Sequence, residues 1–178
     1  MLNRIKALPW RVVIPWFLCA VFAAGAVTFF LAYRDLDQQE ARRDEVQQVA
    51  QRFAVALTNF SHESIEDDAA TIKGFAVGEF AEEVETFLGD EGIAAIKEAE
   101  ASSEGEIISL FIQAADSDEA SAFAVVRETI TNSTSSEGQT DTLRMEIGMI
   151  DTQDGWKVNR VEIFQAPGSG LVPEDLGR

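Results

Sequence analysis

Apolar positions change their spacing twice along this chain, and each change marks a different kind of element. The first block, Val12 to Tyr33, reads VVIPWFLCAVFAAGAVTFFLAY and carries no charge. As a helix rising about 1.5 Å per residue it spans about 33 Å, the depth of a hydrocarbon core of about 30 Å. A polar stretch, 34–44, follows as a stalk that begins the next helix. From Val46 the apolar residues recur at gaps of three and four: Val46, Val49, Ala50, Phe53, Leu57 and Phe60. That stripe predicts an amphipathic helix over Asp37–Phe60. Ser61 and Ser64 offer caps for a short second helix over Ile65–Lys73, stopped by Gly74. Phe80, Val84 and Phe87 share one face of a third, Val77–Leu88. Ile93 and Ile96 mark a further piece over Glu91–Ala101.

From Glu104 the helical period is lost. Gly105 opens the run EIISLFIQAA, whose length and β-branching suit a strand. A second strand is predicted from Ala120 to Asn132, then a Ser/Thr/Gly-rich loop over Ser133–Gln139. In the third strand Leu143, Met145, Ile147 and Met149 alternate with Arg144, Glu146 and Gly148, the period-two pattern of a half-buried strand. Gln153-Asp154-Gly155 makes a hairpin turn into a last strand, Trp156–Phe164. There Trp156 and Val158 fall on one face, Val161 and Ile163 on the other, unless a bulge near Asn159-Arg160 intervenes. Helices first and strands afterwards predict an α+β domain, about three helices packed on a curved antiparallel sheet of about four strands. The expected layout is a tail at 1–11, a membrane span at 12–33, a stalk at 34–44, the domain at 45–166 and a loose Gly/Pro/Ser-rich tail at 167–178.

Charge gives the span a direction. The chain has 14 Lys+Arg and 31 Asp+Glu. Arg4, Lys6 and Arg11 precede the apolar block, and every acidic residue follows it. Basic residues before a span hold that end in the cytoplasm, so the domain is expected outside it, on a single-pass cell-membrane protein. The run VTFFLAY carries the block well beyond Ala24-Gly25-Ala26, too far for the short core of a cleaved signal. Past the block, eleven basic residues face 31 acidic ones, a net −20. Such a surface repels phosphate backbones, which argues against nucleic acid as a partner.

Chemistry-bearing residues are sparse. Cys19, the only cysteine, lies inside the apolar block, so neither an internal disulfide nor a cysteine metal site can form. Leu18 before it lacks the small side chain that lipoprotein processing wants. His62 is the only histidine, and its neighbours Ser61 and Asp67 do not sit as a triad on a helix. Asp67-Asp68, Glu82-Glu83 and Asp116/Asp118 lack the spacing of an ordered calcium loop and read as solvated faces. Asn59-Phe60-Ser61 and Asn132-Ser133-Thr134 match glycosylation sequons by chance. No catalytic residue, metal ligand or cofactor is expected. Were the domain a hollow cone, its candidate lining is Phe53, Leu57, Phe80, Leu143, Met145 and Trp156, all apolar and equally suited to a filled core.

The element order, with Asp-Gly-Trp-Lys-Val before the last strand, resembles the cone-shaped nuclear transport factor 2-like fold. Within it, the stretches ALTNFSHESIEDDAATI, GFAVGEFAEEV, VRETITNSTSSEGQTDTLRMEIGMI and DGWKVNRVEIF are similar to segments of Mce-associated membrane proteins of actinobacteria. That resemblance implies a non-enzymatic accessory subunit of a lipid or sterol import system. It would act through contacts of anchor and domain with Mce transporter subunits and possible copies of itself. The inner-membrane scaffold of type IV secretion systems has the same anchor-plus-cone plan and stays open as an alternative, as does a small-ligand-binding or isomerase-like cone.

Overall fold

A computed structural model describes residues 38–164. The predicted tail at 1–11, the apolar block at 12–33 and the tail at 167–178 lie outside the described residues. Among the described residues, no helix is long and apolar enough to cross a membrane.

Helix α1 occupies 38–58 of the described chain. Its buried positions are Val46, Val49, Ala50, Phe53, Ala54 and Thr58, which is the stripe read from the sequence with two corrections. Leu57 is only half-buried, and Phe60 is no longer helical. The helix ends because its last turn is closed by side chains. Thr58 Oγ1 donates to Ala54 O (2.8 Å), and Asn59 Nδ2 donates to Val55 O (3.0 Å). Such local bonds satisfy the orphan carbonyls of a helix end. Released from the helix, Phe60–Ser61 forms a short strand β1.

Three more helices follow: α2 (Ile65–Phe75), α3 (Gly78–Phe87) and α4 (Asp90–Glu98). Asp68 organises the start of α2, accepting from Ser61 N (3.1 Å) and Ser64 Oγ (2.8 Å). Lys97 of α4 pairs with Glu66 of α2. Gly89 separates α3 from α4, where an added Cβ would lie 2.6 Å from Glu85 O.

The sheet is a meander of five strands in the order β1-β2-β3-β4-β5, all antiparallel neighbours. Beyond β1 these are β2 (Ser102–Ala115), β3 (Glu119–Asn132), β4 (Ser135–Thr152) and β5 (Gly155–Phe164). The fifth strand and the length of β2 and β4 were not legible in the sequence. The stretch 133–139, expected as a loop, is mostly strand. A turn at Ser133-Thr134 suffices, because Asn132 Oδ1 accepts from the backbone N–H of Thr134 (2.9 Å) and of Ser135 (2.8 Å). The predicted bulge in β5 is present. Gly148 pairs with Arg160 and Met149 with Val158, leaving Asn159 extra.

Alternate residues of β3 and β4 face the helices. Ala120, Ala122, Ala124 and Val126 meet Leu143, Met145, Ile147 and Met149, all buried. Phe53 sits at the centre, its ring edge-on to Phe75 (5.9 Å) and Phe80 (5.7 Å). The small residues on β3 share one core with the buried stripe of α1. The larger ones on β4 fill the space beside it, so the cone is packed rather than hollow at its middle.

Candidate functional site

The six candidate lining residues do not meet in one cavity. Phe53, Leu143 and Met145 lie in the packed core. Trp156 is buried too, and its edge borders a polar groove with Gln48, Arg52 and Lys157. Only Leu57 and Phe80 come together at an open cavity, a groove of about 550 Å³.

That groove lies between the helical layer and the end of β5. Leu57 and Phe60 come from the α1–β1 junction, Ile65 and Ile72 from α2, and Phe80, Val84 and Phe87 from α3. Val161 and Ile163 come from β5 beyond its bulge. Among the described residues of the lining, Glu83 is the only titratable one. Phe87 stands 73% exposed at the rim, which is unusual for a ring that a core could have taken. An apolar groove with a single carboxylate at its wall can hold apolar side chains or small apolar molecules. It offers no paired acid and base.

Among the described residues, the one buried carboxylate lies elsewhere, and residue spacing gave no sign of it. Glu128 of β3 points to the helix side, where β2, β3 and the end of α1 converge. Ser103 Oγ lies 2.6 Å from Glu128 Oε1 and 2.9 Å from the carbonyl oxygen of Thr58. A hydroxyl has one proton to give. Its one proton is shared between the Thr58 carbonyl and the Glu128 carboxyl, both of which accept from Ser103. Burial pushes the Glu128 carboxyl up, opposed by the Ser103 hydrogen bond and helped by Asp141 opposite it on β4. Beside this chain, Asn59 bonds both ways to Gly105 of β2: Nδ2 donates to Gly105 O and Gly105 N donates to Oδ1, each 3.1 Å. Glycine is needed there, since a Cβ would lie 2.2 Å from Thr58 Oγ1. The signal that could have found this node is the pair Asn59 and Gly105, each a breaker at the end of a periodic run.

The other singled-out residues have ordinary partners. His62 Nδ1 is 3.2 Å from Ser102 Oγ, with no acid beside it in that contact. Asp68 caps α2 as described, and Asp118 accepts from Ser117 Oγ at 2.9 Å. Among the described residues, no group of three His, Cys, Asp or Glu side chains could hold a metal ion.

No protein-family model matches this chain, and no curated protein matches it either. Solved structures do. An IcmL-like type IV secretion system protein from Legionella pneumophila aligns over 70% of this chain and 94% of its own, at 10% identity and a TM-score of 0.58. The VirB8 protein of Agrobacterium tumefaciens aligns over 72% and 94%, at 9% identity and a TM-score of 0.57. A nuclear transport factor 2-like protein with a cystatin-like fold from Novosphingobium aromaticivorans aligns over 80% and 92%, at 14% identity and a TM-score of 0.50. The fold is the nuclear transport factor 2-like cone. At these identities the likeness concerns the fold, and nearly the whole of each neighbour is matched by the α+β domain seen here. The cone expected from the Asp-Gly-Trp-Lys-Val strand and the helix order is therefore the architecture present.

Proposed function

We propose that this chain is a non-enzymatic, membrane-tethered scaffold subunit of an envelope-spanning assembly of the type IV secretion kind. The observation that carries the proposal is the filled cone. Phe53, Met145, Ile147 and Val126 occupy the space where a catalytic cone would keep a polar cavity. The buried carboxylate, Glu128, is spent on Ser103 and so on the main chain of α1. Two of the fold neighbours are secretion-system proteins, and the domain covers 94% of each. The apolar block at 12–33 supplies the tether, and Arg4, Lys6 and Arg11 keep its near end in the cytoplasm. On that reading the domain stands outside the cytoplasmic membrane and works by contact with other subunits.

A second reading has its own observation. It is the resemblance of the stretches 56–72, 74–84, 126–150 and 154–164 to segments of Mce-associated membrane proteins, which no family model or curated protein supports. There the same tethered cone serves a lipid importer.

The full chain, mildly crosslinked in membranes, solubilised and affinity-purified, tests both. Secretion-channel components among the recovered proteins support the first reading. Lipid-import permease or lipid-binding subunits in their place replace it with the second. Recovery of neither removes the assembly role.

A further inference from the structure

The edge of the sheet at β5 begins to take a further strand and then stops. Ala76, between α2 and α3, forms a parallel bridge with Val158, and Val77 N donates to Val158 O (2.9 Å). The chain leaves the edge at Gly78, whose φ of 60° turns it into α3. Beyond that point β5 has β4 on one side and, among the described residues, no strand on the other. In an antiparallel ladder, successive residues direct their backbone groups alternately toward the neighbouring strand and away from it. Val158 directs its carbonyl away from β4. With Asn159 taken up in the bulge, Val161 and Ile163 fall in the same phase as Val158. Their N–H and C=O groups therefore point to the open edge.

Such edges are usually guarded by charge, proline or a covering element, because they pair with any strand that reaches them. Here the end of the edge is apolar and open: Ile163 is 51% and Phe164 45% exposed. The side chains of Val161 and Ile163 line the groove of about 550 Å³, with Phe80, Val84 and Phe87 of α3 across it. A strand laid along the edge sends every second side chain into that groove. The others stand on the outer face, beside Glu162. The surroundings are strongly acidic. From Glu63 to Glu100, the stretch that holds α2 to α4, there are twelve acidic residues and two lysines. Both lysines are engaged, Lys73 with Glu85 (2.7 Å) and Lys97 with Glu66. Ten of those acidic residues thus have no cationic partner among the described residues.

We infer that the open edge of β5 takes a strand from another protein, an extended segment with Val, Ile or Leu at alternate positions and Lys or Arg between them. Its main chain pairs with Val161 and Ile163. Its apolar side chains fill the groove, and its cationic ones meet Glu162 and the acidic helical layer. In strand addition of this kind the main-chain bonds give affinity and the pockets for alternate side chains give specificity. Other occupants fit less well. A small apolar molecule fills the groove but leaves the edge groups without partners. A second copy would bring one acidic helical layer against another. The chain's own run Leu171-Val172-Pro173-Glu174-Asp175 contains a proline, which has no N–H to give, and two carboxylates where the surface calls for cations. The inference deepens the scaffold proposal, on which its choice of a protein partner rests.

The test uses the full chain in nanodiscs of zwitterionic lipid, with empty nanodiscs as the blank. It is titrated with a labelled Lys-Val-Lys-Ile-Lys-Val peptide, read by fluorescence anisotropy. Saturable binding is expected, with Glu-Val-Glu-Ile-Glu-Val and Lys-Ser-Lys-Ser-Lys-Ser each at least tenfold weaker. Methylating the backbone nitrogens of the first peptide keeps its side chains but removes its donors, and should also cost at least tenfold. In the chain, Ile163→Pro removes an edge N–H and Phe87→Ser removes a groove wall, each with the same expected loss. Melting followed by circular dichroism shows whether the variants fold. Should Ile163→Pro not fold, the methylated peptide tests the same bonds on the wild type. Absence of binding, equal binding of the acidic peptide or equal binding of the methylated peptide overturns the inference. So does a tenfold rise in affinity on deleting residues 167–178, which would make the chain's own tail the occupant. If the peptide does not bind while crosslinking still recovers secretion-channel components, the inference falls and the scaffold proposal stands. Binding with no subunit recovered supports the edge site and removes the assembly role.

Discussion

Asn59 and Gly105 hold each other by two hydrogen bonds of 3.1 Å, one in each direction, across 46 residues of sequence. The pair makes an amide side chain behave as one more rung of the sheet. It ties the residue that follows α1 to the fourth residue of β2, so the helix and sheet layers are registered at this point. Asn59→Ala removes both bonds and leaves two backbone groups of β2 without partners. A loss of about 1–3 kcal/mol in unfolding free energy is expected. Hydrogen exchange at the Gly105 amide should accelerate more than at the amides in the middle of β3. Equal protection at Gly105 in the variant and wild type would show that the pair contributes nothing.

Gly105 should tolerate no side chain. In Gly105→Ala the new Cβ would meet Thr58 Oγ1 at 2.2 Å and Thr58 Cβ at 2.5 Å. Forcing the two elements apart is expected to cost about 1–3 kcal/mol. Chemical denaturation reads the cost directly. The result should contrast with Gly74→Ala, where a Cβ meets nothing within 4 Å.

Phe53 is the test of the filled cone. It is wholly buried and touches Phe75 and Phe80 edge-on. Phe53→Ala removes a ring from the middle of the core and is expected to destabilise the domain by about 3–5 kcal/mol. A loss under 1 kcal/mol would mean that the centre is looser than the packing shows.

Much of this core was readable beforehand. The stripe Val46-Val49-Ala50-Phe53 and the alternation Leu143-Met145-Ile147-Met149 are each produced by one periodic element facing one way, and a period survives in the sequence. The bulge at Asn159 was readable for the same reason, as a slip in the alternation between Val158 and Val161. What could not be read is what depends on two distant segments at once. Phe60 fits the helical stripe by spacing, yet it lies in β1, because the Thr58 and Asn59 side chains close the helix first. The extension of β4 back to Ser135 rests on the Asn132 side chain turning the chain in two residues. The groove escaped notice because its walls come from all four helices, β1 and β5, segments with no common period. Glu128 looked like an ordinary strand charge, since nothing local says which face of β3 is covered.

Glu128 also sets an expectation for pH. Its folded-state pKa is raised above the usual value, chiefly by burial. The stability it contributes is therefore fully present below the unfolded-state pKa of about 4.3 and is lost as pH rises through the folded-state value. Glu128→Gln keeps an acceptor for Ser103 and has no carboxyl proton to lose. The variant should match wild type in melting temperature near pH 4 and exceed it above neutrality. Subtracting the variant from wild type removes the general self-repulsion of an acidic domain. A difference that is flat from pH 4 to pH 8 would show that Glu128 ionises freely where it sits.

The extra residue in β5 has a consequence for how this domain came by its groove. Without Asn159 the strand would read Trp156, Lys157, Val158, Arg160, Val161, Glu162, Ile163, Phe164, a perfect alternation with every apolar residue but Phe164 on one side. The insertion therefore changes no side chain's allegiance. It alters only the path of the strand, because a bulge bends and twists the chain that carries it. Up to Val158 the strand belongs to the core, and from Val161 it walls the groove. A chain shortened by that single residue is expected to fold with the same pairs and a straighter edge. The groove would then be a matter of curvature, gained or lost by one codon, while the scaffold around it stays the same.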